Sequence, residues 1–356
     1  MTDVHNARPL GALGEGAVGE TGTFGAVGTV RSLGWTGAVG EAGALDRAGV
    51  LGEASAVTTN GAVGVPSRLV LGSSEHQELF CRLFVETHVS YDVESIAWPT
   101  LSSADRQFLG DLPIWDEAVN TEHETAVLVR AMADYEPDPM LAEAIGLQAY
   151  EEERHSALVT ALTDHYGIDV RRRPTPRVAN PEWAFLKSGW GECIDSFFAF
   201  GIFDVAQQTG LVPPRLLAMF DLVMREEARH ILFFENWRLA QRHSAPAWDA
   251  SLLALRSAVA ASLVVLDRLR LAATSSRDAG GADQNFLLSG AKAIGALTPR
   301  AFVDICLGAN DRRFRLYDQR LVRPRIVPGL ARRLRSLLPD RSPGRGGALS
   351  RRRARV

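Results

Sequence analysis

Four long stretches of the chain repeat apolar residues at alternating three- and four-residue steps, the period of a helix with one buried face. The first runs from about Pro113 to Tyr135 and the second from Met140 to Tyr166. The third runs from Pro181 to about Gln208, and the fourth from Pro214 to about Arg242. Their punctuation agrees. Gly167 is a C-terminal stop, Pro181 suits a first helical turn, and "EPDP", "RRRPTPRVANP" and "TGLVPPR" are turn-rich connectors. A fifth stretch, "WDASLLALRSAVAASLVVLDRLRLAAT", is apolar over a broad face. Shorter helices are expected in "EHQELFCRLFVETHV", after the N-cap Ser102, over Ala291–Ala296 and over Pro299–Tyr317. No stretch of useful length alternates with the two-residue period of a strand. The predicted class is all-α: a four-helix bundle with additional N- and C-terminal helices.

Composition divides the chain further. Residues 1–68 are low in complexity, with "GAVG" starting at Gly16, Gly25, Gly37 and Gly61, and carry few bulky groups to offset the entropy of ordering. This leader is expected to be disordered. Residues 69–317 are expected to form the helical domain, with the bundle at about 113–242 and extra helices over 246–317. From Asp311 onward there are fifteen arginines and three aspartates, and residues 318–356 are predicted to be a basic, largely disordered tail. A solvated tail is the expectation there, ahead of nucleic acid or anionic membrane. The net charge of −3 gives no global bias toward either partner. Cys81, Cys193 and Cys306 are far apart and form no CxxC, which fits reduced thiols in a cytoplasmic protein. No signal peptide and no membrane span are predicted.

The candidate chemistry lies on the helical stripes. "YEEERHSAL" at Tyr150–Leu158 and "MREEARHIL" at Met224–Leu232 share Glu-Glu-x-Arg-His. On the second helix Leu141, Ile145, Gln148, Glu152, His155, Val159, Leu162 and Tyr166 share a face. On the fourth, Leu217, Phe220, Val223, Glu227, His230 and Phe234 do. Glu and His three apart project from one side of a helix and can reach one ion together. A carboxylate inside an apolar stripe is costly unless paired or metal-bound. The same reasoning selects Glu122 on the first helix, among Trp115, Val119, Ala126 and Val129. It selects Glu192 on the third, among Phe185, Gly189, Ser196, Ala199 and Phe203. Glu124, rotated by about 200° from Glu122, is the alternative on the first helix. Glu151 or Glu226 could stand in for its neighbour. Asp195, one turn beyond Glu192, either supports the site or is a satisfied buried acid. Antiparallel helices rising about 1.5 Å per residue would bring the six side chains to nearly one level.

Four carboxylates and two imidazoles, with a Glu from each of two helices and Glu-x-x-His from each of two others, are the donor set of di-iron or di-manganese bundles. From Trp115 to Arg242 the chain therefore resembles the ferritin-like di-iron carboxylate superfamily. The resemblance implies Glu122, Glu152, His155, Glu192, Glu227 and His230 as both metal ligands and catalytic centre. It implies two iron ions, with manganese replacing one or both as the alternative. In oxygenase members an acid commonly precedes the ligand Glu and an Arg the ligand His, places held here by Glu151, Arg154, Glu226 and Arg229. Those acids would accept the distal imidazole N–H, and each Arg would neutralise the acid three residues before it. The implied function is oxidation of an unidentified organic substrate with O₂, by hydroxylation, desaturation or N-oxygenation. Iron handling or peroxide scavenging is the first alternative and a non-enzymatic helical protein the second. An oxygenase of this kind would take electrons from an external ferredoxin or reductase. Phe197, Phe198, Phe200, Phe203 and "FFENW" are expected to line a cavity for a small, apolar substrate, or else to be core. For the fifth helix three roles stand open: cap, substrate lid or homodimer contact.

Overall fold

The computed structural model describes residues 69–112, 114–210, 212–275 and 298–338. Among them the only regular elements are helices, so the fold is all-α. In chain order these are α1 (Ser74–Glu86), α2 (Ser103–Gly110), α3 (Trp115–Tyr135), α4 (Pro139–Tyr166) and α5 (Pro181–Thr209). They continue with α6 (Pro214–Ser244), α7 (Ala247–Ser275), α8 (Pro299–Arg315) and α9 (Ile326–Arg335). The leader and the short helix expected over Ala291–Ala296 lie outside the described residues.

Helix boundaries follow local chemistry. Asp138 accepts from the amides of Met140 and Leu141, and Pro139 then opens α4 without needing its missing N–H. Asn180 accepts from the Trp183 amide ahead of Pro181 in the same way. At the far end of α4, Gly167 takes a φ of 70°, a left-handed turn that costs glycine nothing and so stops the helix sharply.

Helix α3 packs along α4 and α5, and α5 packs against α6. Helix α1 lies against both α4 and α6, which touch each other only sparingly. The short first helix is therefore part of the enclosure, not an appendage to it. Its Phe80 and Phe84 are fully buried, with ring centroids 5.3 and 5.2 Å from Phe233 of α6. On the α5–α6 face Phe185 meets Trp237 edge-on at 4.9 Å. Phe197, Phe200 and Phe203 are also buried, and Phe197 packs with Phe302 and Cys306 of α8. These rings fill the core.

Two expectations need correction. The tail does not lose order at residue 318. Leu321 is buried, and Asn236 of α6 donates to the Val322 carbonyl while accepting from the Val322 amide. Helix α9 then packs on α8 and α5. Arginine density hid the few apolar residues that dock it: Leu321 and Pro328 are buried and Val327 and Ala331 pack on the core, while Ile326, Leu330 and Leu334 stay exposed. In addition, Ala247–Arg270 of α7 is long and apolar enough to cross a membrane by length and composition, at a mean hydropathy of 1.7, contrary to the expectation that no segment is. Arg256, near the middle of the stretch, breaks the apolar run and masked this. One side of α7 packs on α5 and α6, with Arg256 paired to Glu182 and Arg268 to Asp195.

Gly189 sets the spacing of α5 and α6. A Cβ there would lie 2.3 Å from the buried Phe234 ring. Gly189→Ala should therefore lower stability by about 1–2 kcal/mol, because overpacking of about 1–3 kcal/mol outweighs a helix-propensity gain of at most about 1 kcal/mol. Chemical denaturation of the two proteins measures this difference.

Candidate metal centre

Each of four helices delivers part of one buried cluster. Helix α3 contributes Glu122, α4 Glu152 and His155, α5 Glu192, and α6 Glu227 and His230. Ligand atoms of Glu122, Glu152, His155 and Glu227 all lie within 4.8 Å of one another. Those of Glu152, Glu192 and His230 form a second such group. The six predicted side chains thus fall into two adjoining groups that share Glu152. That carboxylate presents one oxygen to each side: Oε1 is 2.8 Å from His230 Nδ1, and Oε2 is 3.8 Å from His155 Nδ1. Glu122 Oε2 and Glu227 Oε1 lie 3.5 and 3.4 Å from His155 Nδ1.

The imidazoles are held from behind. Nε2 of His155 is 2.8 Å from Glu226, and Nε2 of His230 is 2.9 Å from Glu151. A carboxylate only accepts hydrogen bonds, so each Nε2 carries its proton and each neutral ring keeps its lone pair on Nδ1. Both Nδ1 atoms are buried, lack a hydrogen-bond donor, and face carboxylate oxygens. A lone pair and an anion in such contact repel unless a positive charge lies between them, and a proton or a metal ion can supply it.

The guanidinium groups complete the backing, but between helices. Arg229 of α6 donates to Glu151 of α4 at 2.6 and 2.9 Å, and Arg154 of α4 donates to Glu226 of α6. This corrects the expectation that each Arg neutralises the acid three residues before it on its own helix. The facing acid is in reach because both motifs turn toward the same interface. The same arginines hold the chain after α1, Arg154 through the Val89 carbonyl and Arg229 through the Thr87 carbonyl. Arg154 also lies 3.9 Å over the Tyr91 ring.

Charge matching favours divalent ions. Arg154 and Arg229 offset the two backing acids, which leaves Glu122, Glu152, Glu192 and Glu227. Four carboxylates carry −4, and two divalent ions carry +4. Without metal, burial raises Glu122 to about 7 against the pull of His155. Burial and the charge of Glu152 hold Glu192 well above the usual range. Burial alone would lower both imidazoles, yet the surrounding carboxylates raise them well above an ordinary histidine. Burial also pushes Glu151 and Glu152 up. The histidines outweigh it, leaving Glu152 at about 2 and Glu151 well below the carboxylate range. The cluster thus holds protons among the groups that could bind a metal ion.

Two further predicted residues border the adjoining cavity but belong to neither ligand group. Glu124 is turned to Arg173, 2.8 Å away. Asp195 binds Arg268 of α7 rather than backing an imidazole. Four contributors escaped sequence reasoning. Gln148 donates to both oxygens of Glu192 at 3.3 Å, and Ser196 donates to Glu227 at 2.8 Å. Both had a signal, as polar residues on the predicted inward stripes. His88, 2.5 Å from Glu151, and Tyr91 follow α1 in an irregular stretch with no period to reveal them.

A cavity of about 320 Å³ adjoins the cluster between α3 and α5, with α7 at its edge. Glu122, Glu152, Glu192 and Glu227 reach its wall. None of the phenylalanines proposed to line a substrate space borders it. The rest of its wall carries Glu117, Glu124, Asp195 and Asp267 against Lys187 and Arg268, with apolar surface from Ala118, Leu128, Ala199 and Met224. No family model, curated protein or solved structure matches the chain.

The chain should bind about two divalent ions. Glu152→Ala should abolish binding at both positions, whereas Glu192→Ala should leave about one ion. Metal analysis after anaerobic loading and desalting, with circular dichroism to verify folding, measures this. Loading should also expel protons. Groups with raised pKa hold protons below that pKa, so metal affinity should fall as pH drops from 8 to 6 through the titration of Glu122. Calorimetry in buffers of different ionisation enthalpy reads the protons released.

Proposed function

We propose that this protein is a di-iron carboxylate oxidase or oxygenase acting on a small organic molecule. The observation that carries this reading is the pair of inward Nδ1 atoms on either side of Glu152, next to a cavity of substrate size. Oxygen-rich donor sets with imidazole suit iron and manganese. Two ferrous ions there would supply two electrons to O₂. Binding them would fall to Glu122, Glu152, His155 and Glu227 on one side and to Glu152, Glu192 and His230 on the other.

The remaining steps belong to the chain's own groups. Glu151 and Glu226 keep the Nε2 protons in place, so both imidazoles present lone pairs inward. Gln148 and Ser196 fix the orientations of Glu192 and Glu227. The aromatic core excludes water from the side of α1 and α6 and leaves the cavity as the approach for substrate. Electrons would come from an external ferredoxin or reductase. A cavity beside the ligands supports an organic substrate over iron handling alone.

Mixing the ferrous-loaded protein with air-saturated buffer tests the reading. Oxidation should stop after about two irons per chain, in line with a closed pair of sites. Continued oxidation of added ferrous ion with mineral formation would favour iron handling. No oxidation would contradict the proposal. Oxygen consumption and ferrous-chelator assays follow both quantities.

A further inference from the structure

Helix α7 carries a second apolar stripe, turned away from α5 and α6. Trp248, Leu252, Leu255, Val259, Ser262, Leu266 and Leu269 follow at strict four- and three-residue steps, and all seven are exposed. Trp248 is 78% exposed, Leu255 61% and Leu269 60%. The inner stripe of Leu253, Ser257, Ala260 and Val264 is buried. Exposed apolar positions at a sustained 3.5-residue average form the seam that a partner helix fills. A membrane-spanning helix favours an apolar circumference, whereas α7 commits Arg256 and Arg268 to ion pairs on its inner side.

We propose that this stripe is a homodimer seam, in which α7 of one copy packs antiparallel on α7 of a second, with the two-fold axis near Val259. Three observations favour a second copy. With Leu263 and Val265 beside it, the stripe exposes apolar area on the order of 700 Å², near the ~800 Å² each partner gives a standard interface and above what a monomer usually leaves open. Asp249 stands near the start of the stripe, and Arg270, which also pairs with Asp267 on its own helix, stands near its end. An antiparallel pair places them beside each other between copies, while a parallel pair sets like against like. The helix dipoles are also opposed rather than aligned. The small Ser262 then lies across from Leu255 of the other copy and leaves it room. Val264, Asp267 and Arg268 of the same helix border the cavity, so the seam braces the wall of the candidate site.

Sedimentation of the full-length protein should give about twice the mass of one chain. Leu255→Arg combined with Val259→Arg should reduce this to one chain with unchanged far-ultraviolet circular dichroism. A wild-type monomer at tens of micromolar overturns the proposal, and so does a dimer that survives both substitutions. A wild-type monomer that floats with phosphatidylglycerol-containing vesicles overturns it in favour of a bilayer. Should the double variant unfold, single cysteines decide. Cys81, Cys193 and Cys306 are buried, so a cysteine introduced on α7 is the accessible thiol among the described residues. Under mild oxidation Val259→Cys should link to itself. Leu252→Cys should link to Leu266→Cys in mixtures but not to itself. Equal self-linking at 252 and 259 would overturn the antiparallel arrangement.

Discussion

The interior is organised by two buried carboxylates that face the backs of two imidazoles across a helix interface. Glu226 holds His155 and Arg154, and Glu151 holds His230 and Arg229. Each unit joins α4 to α6, because the acid on one helix is satisfied by the guanidinium and the imidazole N–H of the other. Removing one partner of such a buried pair costs about 3–5 kcal/mol, because the other is left charged and undersolvated. The interaction also fixes which ring nitrogen faces inward, and every chemical property argued for the cluster depends on that.

Helix α1 supplies the remaining support. Because α4 and α6 touch little, the gap between them is filled by Phe80, Phe84 and the residues that follow α1. Both arginines use spare donors on carbonyls of that stretch, and Phe84 lies under the Arg229 guanidinium at 4.7 Å. A desolvated guanidinium gains most from such stacking. The backing of the cluster and the packing of the first helix are therefore one structure, and a change in either is felt by the imidazoles.

The helices of the site were legible in the sequence to within a few residues, because long apolar stripes and Gly or Pro punctuation are strong local signals. Glu122 over Glu124 followed from phase alone, and the structure turns Glu124 to Arg173. The pairing of arginines and acids was not legible, since i,i+3 spacing is visible along one helix and the facing helix is not. His88 and Tyr91 were hidden for a related reason: they act from an irregular segment, placed only by tertiary packing. The order of residues 318–338 was obscured by arginine content, although Leu321 and the bonds of Asn236 anchor it. The phenylalanines of α5 carried no information about direction, because they point all round the helix. In the structure they fill core while the cavity opens along Gly191, Ser196 and Ala199.

The most direct test is diffraction from crystals grown with ferrous ion, with data collected on both sides of the iron absorption edge. Two anomalous peaks are expected, one beside Nδ1 of His155 and Glu122 and the other beside Nδ1 of His230 and Glu192, with Glu152 touching both. Iron-loaded crystals with no peak between the imidazoles, or with metal on the Nε2 side, would contradict this.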